Sequence, residues 1–237
     1  MKKLLIVLII SISCVLSSLT LSADNRSYVW TYEYMTMERG AAELEQYTTF
    51  KTVDTDDFET TTSAELNLEL EFGMNDRFDF AVYQSFKQGP DGNFTYSGFK
   101  LRGRYKLSEK GKWFVDPLIY LEYKSNPTFS KHVIEPKLIL AKDFGDFNIA
   151  LNPYFEYEYE DSEWEFKPKY AAGFHYKLSK LMKIGAEFKG DEHNHYFGPT
   201  ISHGHAGMFI ALGALFGTSV ETGSADYLMR MIIGVHL

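Results

Sequence analysis

From Phe147 to Glu160 the chain alternates without a break. Phe147, Ile149, Leu151, Pro153, Phe155, Tyr157 and Tyr159 fall on one phase, and Asn148, Ala150, Asn152, Tyr154, Glu156, Glu158 and Glu160 on the other. Successive side chains on a strand point to opposite faces, so the segment predicts a strand with one apolar and one wet face. The rhythm recurs about a dozen times in runs of roughly 10–14 residues broken by turn residues. A strand that crosses a bilayer needs about 9–11 residues. Alternating segments of that length, separated by turns, mark a transmembrane β-barrel. The expected fold class is therefore all-β: a transmembrane antiparallel up-and-down β-barrel.

Two kinds of break separate the runs. Tight turns are expected at Met74-Asn75-Asp76, Ser108-Glu109-Lys110-Gly111, Phe144-Gly145-Asp146, Ser179-Lys180 and Ser202-His203-Gly204. Longer, more charged loops are expected at residues 53–61, 87–93, 124–130, 160–163, 190–193 and 218–224. The two kinds alternate, and in outer-membrane barrels the short turns face the periplasm. That orientation brings the last strand, residues 225–237, down to the periplasmic side. Counting back from it predicts 12 strands, the first at residues 42–52; a count of 13 or 14 stays open. Residues 28–36 are left over and are read as non-barrel, since a thirteenth strand would put the N-terminus outside the cell.

The ends refine this picture. Lys2 and Lys3, the apolar stretch from Leu4 to Val15, and Leu21-Ser22-Ala23 read as a cleaved signal peptide. The expected organisation is a signal peptide at 1–23, an N-terminal non-barrel segment at 24–41 that plugs the lumen or lies along the rim, and an outer-membrane β-barrel at 42–237. The location is the cell outer membrane. Cys14 is the only cysteine; Ser11 stands where a lipobox wants Leu, and cleavage near Asp24 leaves a chain without thiol chemistry. Sixteen Tyr and 19 Phe suit aromatic girdles at the two membrane interfaces. A net charge of −8 argues against nucleic acid. The expected partners are outer-membrane lipids and lipopolysaccharide, the outer-membrane assembly machinery, and a small-molecule solute. Consistent with assembly, Tyr227, Met229, Met231, Ile233, Val235 and Leu237 alternate to the last residue, although the usual terminal Phe is Leu here.

Small barrels are filled by side chains and large ones hold water, so the inward charges matter. On residues 94–107 the inward phase is Lys100, Arg102, Arg104 and Lys106, a basic ladder, with Arg104 expected opposite Asp116. Asp79, and Glu65, Asn67, Glu69 and Glu71, point inward from the two preceding strands. Glu156, Glu158, Glu160 and Glu165 approach the outer mouth, with Lys167, Lys169, His175 and Lys177 below. An acidic mouth over a basic wall would bias permeation by charge. Cross-strand pairing of the same charges would instead fill a closed interior. The candidate lumen-binding residues are Lys100, Arg102, Arg104, Lys106, Asp116, Glu156, Glu158, Glu165 and Lys167.

Four strand prolines share the outward phase. Counting from the expected loops sets Pro117 opposite Pro136, Pro136 opposite Pro153, and Pro153 opposite Pro168. Such a row would weaken the wall or serve as bulges that adjust curvature.

Asp191-Glu192-His193-Asn194-His195 and His203-Gly204-His205 carry metal-ligating side chains. A strand between them places them roughly 25 Å apart, so no single metal site is expected. Asp54, Asp56, Asp57 and Glu59 read as a solvated outer loop. No G-x-S-x-G elbow occurs, and Ser202 beside His203 lacks a third member. Neither a catalytic residue nor a cofactor is expected.

Short fragments carry a family resemblance: Arg39-Gly40 with Glu43-Leu44-Glu45, then Ile134-Glu135-Pro136-Lys137-Leu138, and Gly198-Pro199. The chain resembles uncharacterised proteobacterial outer-membrane β-barrel proteins similar to transporters of the aromatic-degradation (phenol meta-pathway) type. The resemblance implies an outer-membrane barrel that passes small molecules, and it transfers no functional residues. The expected function is a channel that passes small solutes passively or with modest selectivity. The alternatives are an enzyme acting on lipid or lipopolysaccharide and a sealed structural or surface-binding barrel.

Overall fold

In the computed structural model, which describes residues 26–237, the alternating segments form one closed antiparallel barrel. Its strands are β1 (Ala42–Thr52), β2 (Thr62–Asn75), β3 (Phe78–Gln88), β4 (Phe94–Lys106), β5 (Asp116–Ser125) and β6 (Lys131–Phe144). They continue as β7 (Phe147–Glu160), β8 (Glu163–Lys177), β9 (Met182–Gly190), β10 (His195–His205), β11 (Met208–Ser219) and β12 (Tyr227–His236). Each strand pairs with its sequence neighbours, and β1 closes on β12 with Glu43 opposite His236 and Thr52 opposite Tyr227. Closure leaves no edge strand, which a hydrocarbon environment requires because unpaired backbone groups have no water to bind there. The expected signal peptide and Cys14 lie outside the described residues.

The period-2 pattern sets the two faces throughout. Leu121, Ile149, Leu151, Phe174 and Ile201 stand exposed on the outer wall, where the hydrocarbon covers them. Their sequence neighbours Tyr120, Glu122, Ala150, Asn152, His175, Thr200 and Ser202 are buried inside. Aromatic contacts ring the loop end, as in Tyr157 against Phe166 with centroids 5.1 Å apart and Tyr159 against Trp164 at 5.0 Å. Phe147 and Phe174, 6.0 Å apart, stand at the opposite rim. In the first outer loop a single helical turn, α1 (Phe58–Thr61), is capped by Asp57, which accepts the Thr60 amide.

Several connections differ from the sequence expectation. Ser202, His203 and Gly204 belong to β10, and the turn is Ala206-Gly207, both with left-handed φ of 51° and 80°. The run of His and Gly had suggested a turn, yet Ser202 and Gly204 continue the inward phase. At Ser108 to Gly111 the break is wider, spanning residues 107–115, with Asp116 accepting the Gly111 amide. On the opposite rim, residues 160–163 were expected to form a long charged loop. They are a two-residue turn at Asp161-Ser162, both left-handed with φ of 51° and 68°, the geometry that matches strand twist.

The four-proline row does not form. Pro117 faces Leu140, Pro136 faces Leu121, and Pro153 faces Tyr170. Turns centred further along the chain than expected shift every cross-strand partner by an even number of residues, which leaves each side chain on its face. Pro168 faces Phe155. On that stretch β6 pairs Ile134 with Tyr157, Lys137 with Tyr154 and Leu140 with Leu151, skipping the residues between.

Candidate functional site: the lumen and the segment inside it

Residues 26–37 run through the barrel interior, and Arg26, Tyr28, Val29, Thr31 and Met37 are all buried there. No dyad pattern assigns this segment to the wall, so its backbone groups need partners from elsewhere. Inward side chains of the strands provide them. Glu187 on β9 accepts the amides of Val29 at 2.9 Å, Trp30 at 2.9 Å and Thr31 at 2.7 Å. Asn152 on β7 accepts the Tyr32 amide at 2.6 Å and donates to the Tyr32 carbonyl at 3.0 Å. Asp79 on β3 accepts the Met37 amide at 3.0 Å, and Arg230 on β12 donates to the Val29 carbonyl at 3.0 Å.

Side chains of the segment lock in as well. Tyr28 donates to Asn148 at 2.9 Å, and Tyr34 donates to the Ser108 carbonyl. The wall is cut to fit: a Cβ on Gly173 would stand 2.5 Å from the Tyr28 ring, and one on Gly213 would stand 2.4 Å from Val29. Glu33 accepts from the Ser27 amide at 2.8 Å and stands 3.2 Å from His175. Burial pushes the Glu33 carboxyl up, but Lys183, with the hydrogen bonds from His175 and Ser27, outweighs it and holds the group at about 2.

The basic ladder points inward, and most of it is buried against acids. Arg102 pairs with Glu69 at 2.6 Å and Glu71 at 2.6 Å, and donates to the Tyr83 hydroxyl at 2.8 Å. Arg104 pairs with Asp79 at 2.6 Å and with Glu71. Its cross-strand neighbour is Tyr120 rather than Asp116, because the longer 107–115 connection shifts β5 along β4. The cluster also holds Glu43 and Glu45, and Arg26 of the lumen segment reaches Glu45 at 3.1 Å. Five carboxylates thus face three guanidiniums, one of them delivered by the N-terminal segment. Lys106 lies over the Tyr34 ring at 5.8 Å.

Nearer the loop end the charges interleave. Lys124 bridges Glu135 at 2.7 Å, Glu156 at 2.9 Å and Glu122 at 3.3 Å. Lys169 pairs with Glu156, Lys131 with Glu158, and Lys167 with Glu158 at 3.4 Å and Glu165 at 2.8 Å. Glu165 itself is exposed. Lys100 is the ladder member that lines open space, 3.9 Å from Glu122. Sequence periodicity placed these groups on the inner face, but it had no access to the partner's height on the next strand.

The lumen segment divides two polar cavities. On the loop side a cavity of about 220 Å³ is floored by Trp30 and Tyr32, and it shares Glu65, Lys100, Lys124 and Glu156 with a wider one of about 410 Å³. On the turn side a cavity of about 260 Å³ is lined by Glu33, Tyr34, Met35, Asp116, Asn148 and Lys183. Among the described residues no group of three or more His, Cys, Asp or Glu is arranged to hold a metal.

No protein-family model matches the chain, and no curated protein is detectably similar to it in sequence. Solved structures do share its fold. An outer-membrane channel from Pseudomonas putida F1 superposes with a TM-score of 0.63 at 13% identity, covering 89% of this chain and 100% of that one. The KdgM porin, solved in complex with disordered oligogalacturonate, gives 0.58 at 10% identity, covering 82% and 97%. The NanC porin gives 0.56 at 8% identity, covering 81% and 98%. This chain therefore has the twelve-stranded fold of outer-membrane channels and porins, and its closed barrel with an apolar exterior is an outer-membrane protein.

Proposed function

We propose that the protein is a passive outer-membrane channel for small charged solutes, with its N-terminal segment set across the lumen as a constriction. The observation that carries this reading is the pair of polar cavities on either side of residues 26–37. A barrel evolved only as a sealed wall would fill that space with apolar side chains at close packing. Here the interior is lined by ion pairs, and the obstruction is a hydrogen-bonded segment outside the β-ladder. Such a segment is released by breaking side-chain contacts, without opening the wall. The fold shared with channels and porins supports the same reading, as does the KdgM porin's complex with an acidic oligosaccharide. The aromatic-degradation type of solute, the basic wall and the acidic mouth belong to this proposal. In it Lys100, Lys124, Glu156 and Lys167 meet the solute, while Arg102 and Arg104 hold the lumen's shape.

The test is single-channel conductance of the refolded protein in a planar bilayer, beside Gly213→Val. The added side chain meets Val29 and Trp30 and leaves the outer wall untouched. Stable conductance that rises in Gly213→Val supports the channel and its constriction. Folded, inserted barrels that stay silent in both forms overturn it in favour of a sealed barrel.

A further inference from the structure

The 220 Å³ cavity above Trp30 is lined by six cationic side chains and four carboxylates. The carboxylates are all engaged: Glu65 with Lys51, and Glu122, Glu135 and Glu156 with Lys124, Lys137 and Lys169. Two lining cations, Lys189 and Arg230, have no carboxylate within ion-pair distance among the described residues. Arg230 donates to Thr49 Oγ1 at 2.8 Å and to the Val29 carbonyl at 3.0 Å, both neutral acceptors, and its guanidinium lies 5.2 Å from the Trp30 ring centroid. Lys189 lies 5.8 Å from the Tyr196 ring centroid. A confined cation without a paired carboxylate has its charged form disfavoured by burial, and an anion that enters the cavity restores and stabilises that charge in a medium of low effective dielectric.

From this imbalance we infer that the cavity floor is a binding site for one small organic carboxylate. Lys189 and Arg230 face the carboxylate, and the body of the ligand rests on Trp30 and the Ala171 methyl. Ala171 is buried, is the cross-strand partner of Lys189, and lines the same cavity. The volume is below the roughly 300–1,000 Å³ of drug-sized pockets, so the site takes a single acid unit rather than a chain of them. The inference deepens the channel reading by assigning a class of solute, but binding does not require conduction, so the two fail separately.

The experiment uses the refolded protein in detergent with Trp113→Phe and Trp164→Phe, which leaves Trp30 as the sole tryptophan reporter. Galacturonate and benzoate are titrated against Trp30 emission, with sulfate as the anion that lacks an organic body. The expected result is a saturable change with either carboxylate, which separates a sugar acid from an aromatic acid. Lys189→Gln is expected to weaken binding at least tenfold and Lys189→Arg to retain it. Ala171→Glu sets a carboxylate across from Lys189 and is expected to abolish binding with the lysine still present. Retained heat-modifiable gel mobility shows that each variant folds. The inference is overturned if no carboxylate gives a saturable change, if Lys189→Gln and Ala171→Glu bind as the parent does, or if sulfate binds as tightly as the carboxylates.

Discussion

Glu187 holds Val29: one carboxylate oxygen accepts the Val29 amide at 2.9 Å, while the other accepts Trp30 and Thr31. Three consecutive amides converging on one anion form a concave nest, the arrangement a backbone uses to bind phosphate. Here the anion belongs to the wall and the nest to the segment it grips. Hydrogen bonds to a charged group contribute about 1.5–3 kcal/mol each, so this carboxylate is the main anchor. Glu187→Gln keeps the shape, loses the charge, and is expected to free the segment. Trypsin cleavage after Arg26, a residue only 6% exposed, reads this directly. Cleavage at least tenfold faster than in the parent, with the barrel intact on a gel, is expected; an unchanged rate would sink the anchor.

The buried ladder makes a different prediction. Arg102 compensates Glu69 and Glu71 with almost no solvent contact. Removing one partner of a buried pair leaves uncompensated charge and costs roughly 3–5 kcal/mol. Arg102→Met should therefore lower the urea midpoint of the barrel in lipid vesicles sharply, whereas Lys100→Gln, at the cavity edge, should leave it near the parent value. Equal midpoints for the two variants would contradict the division between shape-holding and solute-facing cations.

How far these roles were legible in the chain follows from what a dyad pattern encodes. It assigns a face and nothing else, so Arg102, Glu69 and Asp79 were visible as inward. The twelve strands and the start of β1 at Ala42 followed from the same rhythm and from turn chemistry. Relative height comes from connection length, and an error of a few residues at 107–115 was enough to set Arg104 opposite the wrong partner. The proline row failed for the same reason. The grip of Glu187 on residues 29–31 left no trace, because a segment held by its amides needs no particular side chains. Gly173 and Gly213 were the available signal: two inward glycines in strands otherwise packed with side chains.

Pro136 and Pro153 interrupt the β6–β7 ladder, where the missing N–H groups leave carbonyls without donors. Both face outward, away from the cavities. Pro136→Val and Pro153→Val should each raise the unfolding midpoint, by about 1 kcal/mol for a recovered hydrogen bond, and should leave conductance as in the parent. Altered flux with unchanged stability would instead give the prolines a part in permeation.

Acid should loosen the segment through Glu33. Its carboxyl is held at about 2, against an ordinary value of 4.5, in spite of burial, because Lys183, His175 and Ser27 favour the charged form. A depressed value means that the folded state stabilises the anion. The contribution is fully present above pH 4.5 and disappears as pH falls through about 2. Trp30 emission in the Trp113→Phe, Trp164→Phe background should accordingly stay flat from neutral pH to about 5 and shift between about 4.5 and 2. Glu33→Gln should show the loosened spectrum at neutral pH and lose this acid limb. If the parent emission is flat down to pH 2, or if the limb survives in Glu33→Gln, the charge of Glu33 does not govern the segment.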